Sequence, residues 1–356
     1  MYSIMRIAFF SMNPNFCQHI LEELGQHHTV KVWKYNANEQ IYWASILKLL
    51  DWCDLAYLEW LQQPNIEISQ IQGIGKPLVM FCHGIDAMNH SFVDWRNIVG
   101  LITQDALYPR LLDLRSEWAV KNPNKPSLPS LPKKILIQSL GIDLKRFTPL
   151  PEPIPEYHIV THASWMRLVK RIYEAIQTFY DLIQLDGKKP WKMTLIGQWE
   201  GAQWRGPDRK EYMRACRELI SQLRFPADRF FMKPMNFTPQ VWTQFSKTAD
   251  IYWCTSWRES FGVSLAEVCA GGGYPFINYF LGADKIYPKK YLCKTPGEMV
   301  RKTIEWGNLS PDEKKQERKN IRKHIEQYDS RAAAKNIRIF LEKIDAGRRK
   351  KRPGAG

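Results

Sequence analysis

The stretch from Asp250 to Asn278 constrains the fold of this chain more than any other. A short apolar run, 251–254, stops at a polar turn, and apolar residues at helical spacing follow over 263–269. Glycines at 271–273 end that helix, and 274–277 reads as the next buried strand. This order predicts a strand, loop, helix and strand of a parallel sheet. In such a unit the loop lies beside free amides at the helix N-terminus, where a phosphate fits.

Two acids occupy this stretch, Glu259 in the predicted loop and Glu267 in the predicted helix. A loop carboxylate can accept hydrogen bonds from sugar hydroxyls, because it is an acceptor-only group. A carboxylate one or two turns below a phosphate can likewise hold a ribose diol. The alternative is that Glu259 only caps the helix and that Glu267 is a solvated position.

The pattern Ser256-x-x-Glu259-x-Phe261-Gly262, followed by Glu267 and a Gly-Gly-Tyr-Pro turn, resembles the donor site of the retaining GT-B glycosyltransferases of family 4. The resemblance implies that Glu259 contacts the transferred sugar and that Glu267 binds the nucleotide ribose. It also implies that the backbone around the Phe-Gly pair contacts the donor, at Ser260, Phe261, Gly262 and Val263.

A second basic segment follows the strand that begins at His158. Family members offer an Arg and then a Lys to the donor diphosphate from this turn, and Lys170 matches the Lys. Trp165 stands at the usual Arg position, so Arg167 or Arg171 would have to substitute. A cation is needed there because two phosphates leave as a dianion. The alternative is the basic first turn of a solvated helix. Gly197 resembles the glycine loop of the family, with a wider gap.

A histidine, His83, directly follows the apolar strand 77–82 and therefore lies at the sheet edge where open α/β sheets bind ligands. By resemblance this histidine contacts the donor sugar and is catalytic. The alternative is a histidine bonded to a local backbone carbonyl. The glycine-rich first turn of the family is missing, and residues 12–15 (Met-Asn-Pro-Asn) replace it, which leaves the acceptor side open.

Alternating strand and helix patterns along the 356 residues predict an α/β protein of GT-B class, with two doubly wound Rossmann-like domains facing a cleft. The prolines after the segment Leu140–Pro149 predict a stiff extended linker. The predicted parts are an acceptor-side domain 1–149, a linker 150–156, a nucleotide-sugar domain 157–330, a helix 331–345 returning to the first domain, and a basic tail 346–356.

The seven cysteines are scattered and include no Cys-x-x-Cys pair, which predicts reduced core thiols in a cytoplasmic protein and no zinc site. A hydrophobic fraction of 44% and a charged fraction of 24% are typical of a soluble globular protein. No apolar run is long enough to span a bilayer, and the N-terminus does not resemble a secretory signal.

The net charge of +15 favours an anionic partner surface. Five charges are consecutive in the predicted tail, at Arg348, Arg349, Lys350, Lys351 and Arg352. This predicts an enzyme at the cytoplasmic face of a membrane, acting on a lipid-linked or surface glycan. A nucleic-acid acceptor is the second reading for the acceptor. For the tail itself, the equal alternative is a solvated segment without function.

The predicted reaction is sugar transfer from a nucleotide-diphosphate sugar to an acceptor hydroxyl. Retention of configuration is implied by the resemblance alone. No Asp-x-Asp motif offers carboxylates to a divalent metal, so no metal or other cofactor is expected. Two other readings stay open: a nucleotide-sugar hydrolase or epimerase of the same fold, and a basic binding module whose donor site has decayed.

Overall fold

The computed structural model describes residues 3–35, 42–149, 156–162, 168–197, 207–234 and 239–349. The chain forms two compact units, one made of Met1–Gly141 with Ser330–Gly356 and the other of Ile142–Asp329. The division falls at Gly141, earlier than the predicted boundary at 149. The proline-rich linker segment 150–155 lies outside the described residues.

The first unit contains a six-stranded parallel sheet in the order β2-β1-β3-β4-β5-β6. Its strands are β1 Arg6–Ser11, β2 Thr29–Lys34, β3 Leu55–Glu59, β4 Leu78–Phe81, β5 Ile98–Thr103 and β6 Lys134–Ile137. The chain leaves β1 toward one edge and returns as β3 on its other side, so the topological switch point lies between β1 and β3. Open α/β sheets bind ligands at such points.

Helices cover both faces of this sheet, and each face has its own buried apolar cluster. The helices are α1 Gln18–His27, α2 Trp43–Trp52, α3 Asn65–Gln70, α4 Leu107–Lys121 and the C-terminal α12 Ser330–Arg349, with 3₁₀ turns at Pro14–Cys17 and Ile85–Phe92. Helix α12 buries Ile337 and Leu341 in the same cluster as Ile20 of α1. The C-terminal helix thus belongs to the first unit.

Helix α12 extends beyond its predicted end at 345. Arg349 bonds Asp345 one turn back at 2.7 Å, and Arg348 donates to the carbonyl of Asp54 at 2.9 Å. These bonds hold the last turn, because cations are favoured at a helix C-terminus. The predicted tail therefore begins inside the helix, and Lys350, Lys351 and Arg352 lie outside the described residues.

The second unit repeats the architecture, with a parallel sheet in the order β12-β11-β10-β7-β8-β9. Its strands are β7 His158–His162, β8 Lys192–Gly197, β9 Phe230–Pro234, β10 Ile251–Cys254, β11 Tyr274–Asn278 and β12 Leu292–Cys293. Its helices are α5 Ile172–Leu185, α6 Pro207–Leu223, α7 Pro239–Ser246, α8 Val263–Ala270, α9 Ala283–Ile286, α10 Pro296–Asn308 and α11 Pro311–Ile325. The switch point of this sheet lies between β7 and β10.

The strand, loop, helix and strand predicted for 250–278 are confirmed as β10, α8 and β11. Gly273 is needed at the turn between α8 and β11, because a Cβ there would lie 2.4 Å from Val268. Asp250, before β10, is fully buried and accepts from Trp306 Nε1 at 2.9 Å and from Arg318 at 2.5 Å. These bonds tie β10 to α10 and α11.

All seven cysteines are buried and none forms a disulfide, which confirms the prediction of free core thiols. Among the helices of the described ranges, none combines the length and the apolar character needed to cross a bilayer.

Candidate donor site

The candidate site lies at the switch point of the second sheet, where β7 and β10 run side by side. The carboxyl end of β7 is His162, and a 3₁₀ turn at Leu168–Lys170 precedes α5. The carboxyl end of β10 is Cys254, and its loop runs to Gly262 before α8. Two loops therefore meet at one edge of the sheet.

Backbone and hydroxyl bonds fasten these two loops together. The Thr255 hydroxyl donates to the Lys170 carbonyl at 2.7 Å, and the Trp257 amide donates to the Val169 carbonyl at 3.1 Å. On the other side, the Asn278 amide group donates to the Ser256 carbonyl at 3.4 Å. The loop after β10 is thus held against the turn after β7, which fixes the position of the side chains that both carry.

The central contact of the site is an ion pair between Lys170 and Glu259. Lys170 Nζ lies 2.6 Å from Glu259 Oε1, and the two side chains are 24% and 16% exposed. Both charged groups are therefore reachable from solvent while most of each side chain is covered. The pair places a cation suited to phosphate and a carboxylate suited to sugar hydroxyls side by side.

The N-terminus of α8 lies in the same loop and carries no side-chain cap. Gly262 precedes the helix in the left-handed region, at φ +76°, which favours glycine. The buried Phe261 before it is held by the Tyr287 hydroxyl, which donates to the Phe261 carbonyl at 3.0 Å. The first amides of α8, beginning at Val263, are free of side-chain caps, as anion binding requires.

Glu267, in the second turn of α8, accepts a hydrogen bond from Trp242 Nε1 of α7 at 2.6 Å. Burial raises the pKa of Glu267 to about 7, and the Trp242 bond and the Arg146 charge only partly offset it. The carboxyl is thus protonated in part near neutral pH.

His162 is a further polar group at this edge. Its Nδ1 lies 2.7 Å from the Ser264 hydroxyl, and its ring lies 5.1 Å from that of Trp242. Burial, followed by the Lys170 charge, lowers the pKa of His162 to about 3. The imidazole is neutral at physiological pH, so it can donate or accept a hydrogen bond without adding charge.

The structure brings most of the predicted residues together and separates some of them. Lys170, Glu259, Ser260, Phe261, Gly262, Val263 and Glu267 lie on the two loops or on α8. Gly197 ends β8, the neighbour of β7, with φ +157°. Arg171 has a left-handed backbone at φ 51° and pairs with Glu174 at 3.0 Å. Arg167 and Trp165 lie outside the described residues.

His83 lies in the first unit, after β4 as predicted, but its ring is closed off. It is 3% exposed, stacks on Phe81 at 3.9 Å between ring centroids, and pairs through Nε2 with Glu59. The donor contact implied for His83 stays a prediction, and these neighbours give it no direct support.

Three residues of the site were missed from the sequence. His162 could have been found, because it ends β7 at the sheet edge where ligands bind, and His83 was singled out for lying at the corresponding edge after β4. Trp242 had no signal, since a tryptophan in an amphipathic helix is ordinarily core. Trp257, in the loop after β10, is 62% exposed, and an exposed indole face is a surface on which a sugar ring or base can stack.

Comparison with solved structures supports the fold. Sucrose-phosphate synthase from Thermosynechococcus elongatus matches with a TM-score of 0.70 at 13% identity, covering 96% of this chain and 99% of that one. An α,α-trehalose-phosphate synthase (UDP-forming) from Burkholderia vietnamiensis matches with a TM-score of 0.73 at 9% identity, covering 97% and 99%. Anabaena HepE, solved with UDP and glucose, matches with a TM-score of 0.68 at 15% identity, covering 95% and 100%.

These similarities confirm the predicted α/β architecture of GT-B class with two doubly wound parallel sheets. At sequence identities of 9% to 15%, these structural similarities establish the fold alone. No protein-family model matches the sequence, and no curated protein sequence matches it either. Membership in family 4 is therefore not shown.

Proposed function

We propose that this chain is a glycosyltransferase that moves a sugar from a nucleotide-diphosphate sugar to an acceptor hydroxyl. The observation that carries the proposal is the Lys170–Glu259 pair, at 2.6 Å, beside the uncapped start of α8 at the switch point of its sheet. A cation and a helix N-terminus both favour a diphosphate. The adjacent carboxylate supplies an acceptor for the hydroxyls of the attached sugar.

Each residue then has a defined role. Lys170 exchanges its contact with Glu259 for the leaving diphosphate, whose negative charge grows in the transition state. Glu259 accepts from the transferred sugar, and the amides at Gly262 and Val263 bind phosphate. Glu267 exchanges the Trp242 N–H for a ribose hydroxyl. Arg167 or Arg171 supplies the second cation.

We further propose that transfer retains the configuration at the anomeric carbon. The bond between that carbon and the phosphate oxygen breaks, and the acceptor oxygen bonds to the same face. The acceptor proton passes to the leaving phosphate, so charge and atoms balance. Lys170, the arginine and the α8 amides neutralise the diphosphate, and in this proposal no divalent metal is required for transfer.

Thermal unfolding with and without nucleotide sugars tests the proposal. UDP-sugars are the first to use, because one of the similar structures was solved with UDP and another is that of a UDP-forming synthase. A ligand at 100 times its dissociation constant stabilises by about 2.7 kcal/mol. Sugar transfer is supported if nucleotide sugars of one particular base stabilise the protein and if the nucleotide diphosphate is released only when a glycan acceptor is present. Release without any acceptor indicates a hydrolase, and absence of binding indicates a decayed binding module.

For the acceptor, we propose a lipid-linked or surface glycan reached at an anionic membrane. The support is the net charge of +15 and the roughly 1 kcal/mol that each cation near an anionic bilayer contributes. Arg348 and Arg349 bond Asp54 and Asp345, so docking depends chiefly on Lys350, Lys351 and Arg352. Deleting 350–356 should weaken cosedimentation with anionic vesicles. Unchanged vesicle binding contradicts the docking, and sugar transferred to duplex DNA contradicts the glycan acceptor.

A further inference from the structure

A second cluster of reactive side chains lies in the first unit, at the switch point of its own sheet. Cys17 ends the 3₁₀ turn that follows β1, Glu59 ends β3, and His83 follows β4. One sulfur, one oxygen and one nitrogen of these residues lie within 4.8 Å of one another. The three residues are 1%, 0% and 3% exposed.

The contacts inside this cluster are concentrated on one atom. Cys17 Sγ lies 2.6 Å from Glu59 Oε1, and His83 Nε2 pairs with the same oxygen. Within the described residues, Glu59 Oε2 and His83 Nδ1 have no hydrogen-bond partner, and the contact of His83 Nε2 with Glu59 lacks hydrogen-bond geometry. Buried polar atoms without partners are rare in native proteins and often mark a bound ion or water.

Aromatic rings pack around His83. The His83 ring lies 3.9 Å from Phe81, 4.2 Å from Trp60 and 5.8 Å from Phe16, measured between ring centroids. A carboxylate as completely buried as that of Glu59 is costly unless its charge is compensated. A bound cation provides that compensation more completely than a neutral thiol does.

We propose that Cys17, Glu59 and His83 bind one divalent transition-metal ion, with Zn²⁺ as the best match. Thiolate sulfur, imidazole nitrogen and carboxylate oxygen are the three ligand types that zinc takes in proteins. One thiolate and one carboxylate also neutralise a divalent ion, which suits an apolar site. Three protein ligands leave the fourth tetrahedral position for a water molecule or an anion. The ion would tie together the turn after β1 and the ends of β3 and β4.

This assignment revises the prediction that the cysteines hold no metal. That prediction rested on the missing Cys-x-x-Cys pair, but here the ligands come from the ends of separate strands, so no local motif exists. It also gives His83 a role other than the donor contact implied by resemblance. A Cys-His-Glu nucleophile is a poorer interpretation, because Cys17 is 1% exposed and no substrate can reach its sulfur.

Metal analysis of the full-length protein tests the site without any sugar donor, so its result is independent of the proposed transfer. The protein is stripped with a chelator and reloaded with Zn²⁺ or with Co²⁺, whose thiolate charge-transfer band reports a Co–S bond. We expect about one ion per chain and a Co²⁺ band. Cys17→Ser should abolish the band. Cys53→Ser is the matched control, because Cys53 is buried in the same unit and its thiol donates to the Leu50 carbonyl at 3.3 Å.

The outcomes separate cleanly. A band lost in Cys17→Ser and kept in Cys53→Ser supports the site, as does a His83→Gln variant that binds Co²⁺ at least tenfold more weakly. Metal content near zero, or a band that survives in Cys17→Ser, overturns it, and the cluster is then a proton-sharing network. If Cys17→Ser does not fold, the wild-type protein decides: one equivalent of Zn²⁺ must raise the Tm of the stripped protein while Mg²⁺ does not, and equal or absent effects overturn the proposal.

Discussion

The two sheets of this protein have the same kind of switch point, between β1 and β3 in the first unit and between β7 and β10 in the second. The first is filled: Glu59 is 0% exposed and aromatic rings surround His83. The second is open, since Lys170 and Glu259 are 24% and 16% exposed. One topology thus produces a closed polar cluster in one unit and a reachable ion pair in the other.

The loops after the strands account for this difference. After β1, Pro14 starts a 3₁₀ turn that places Cys17 against Glu59. After β10, the loop ends at Gly262, which takes a left-handed conformation before α8. Proline restricts the backbone and glycine frees it, and the segments that follow β1 and β10 differ in this way. The closed site should therefore govern stability and the open one turnover.

The largest expected effect is on folding of the first unit. Glu59→Ala removes the carboxyl that Cys17 and His83 both contact, and the cavity and the unpaired buried polar atoms that it leaves together cost about 3–5 kcal/mol of unfolding free energy. Chemical denaturation measures it. Glu117→Ala is the matched control, because Glu117 pairs with Arg110 on the surface of the same unit at 2.8 Å and its loss should leave stability nearly unchanged. Equal effects of the two variants would contradict the contrast between the switch points.

The next effect is on turnover at the open switch point. Lys170→Met should lower the rate of sugar transfer by about 10²–10³-fold, or about 2.7–4 kcal/mol, because the diphosphate charge grows in the transition state. Its effect on stability should stay below about 1 kcal/mol. Lys290→Met is the control, since Lys290 forms a comparable pair with Glu317 at 2.5 Å. Transfer that survives in Lys170→Met shows that the lysine is only a helix-surface residue.

The sequence brings the residues of the second switch point together more directly than those of the first, for a physical reason. Glu259, Gly262 and Glu267 lie on one continuous strand, loop and helix, so periodicity and turn chemistry place them. Cys17, Glu59 and His83 come from three separate strand ends, and only the strand order and register bring them together. Nor does the sequence show that the Trp242 indole of α7 reaches Glu267 of α8, because that contact depends on helix packing.

A smaller effect concerns pH and Glu267. The folded pKa is about 7, above the ordinary value of 4.5, so the folded state binds more protons than the unfolded state between these values. Stability therefore falls as pH rises through this window, and the loss is complete above pH 7. Glutamine does not titrate, and it can still accept from Trp242. Glu267→Gln should thus be more stable than the wild type at pH 8, by about 1–3 kcal/mol, with little of that gain at pH 5.

Denaturation at the two pH values checks this sign. Glu218→Gln serves as the control, because Glu218 is exposed on α6 and accepts from Gln222 at 2.8 Å. The same Glu267→Gln variant should bind UDP-sugar more weakly, which would mark Glu267 as a residue kept for binding at a cost in stability. A variant that is less stable than the wild type at pH 8 contradicts the raised pKa of Glu267.

The smallest expected effect concerns Arg171, which is a candidate for the second cation of the open site. The Arg171 side chain is 32% exposed and pairs with Glu174 in its own helical turn, and such exposed pairs contribute about 0–1 kcal/mol. Asparagine tolerates the left-handed backbone at this position, so Arg171→Asn removes the charge without straining the start of α5. If Arg171 only pairs with Glu174, UDP-sugar affinity and turnover should change by less than about fivefold, which is within 1 kcal/mol. A loss of a hundredfold would instead make Arg171 the diphosphate ligand that replaces the arginine missing at Trp165, and Arg167→Ala should then be nearly silent.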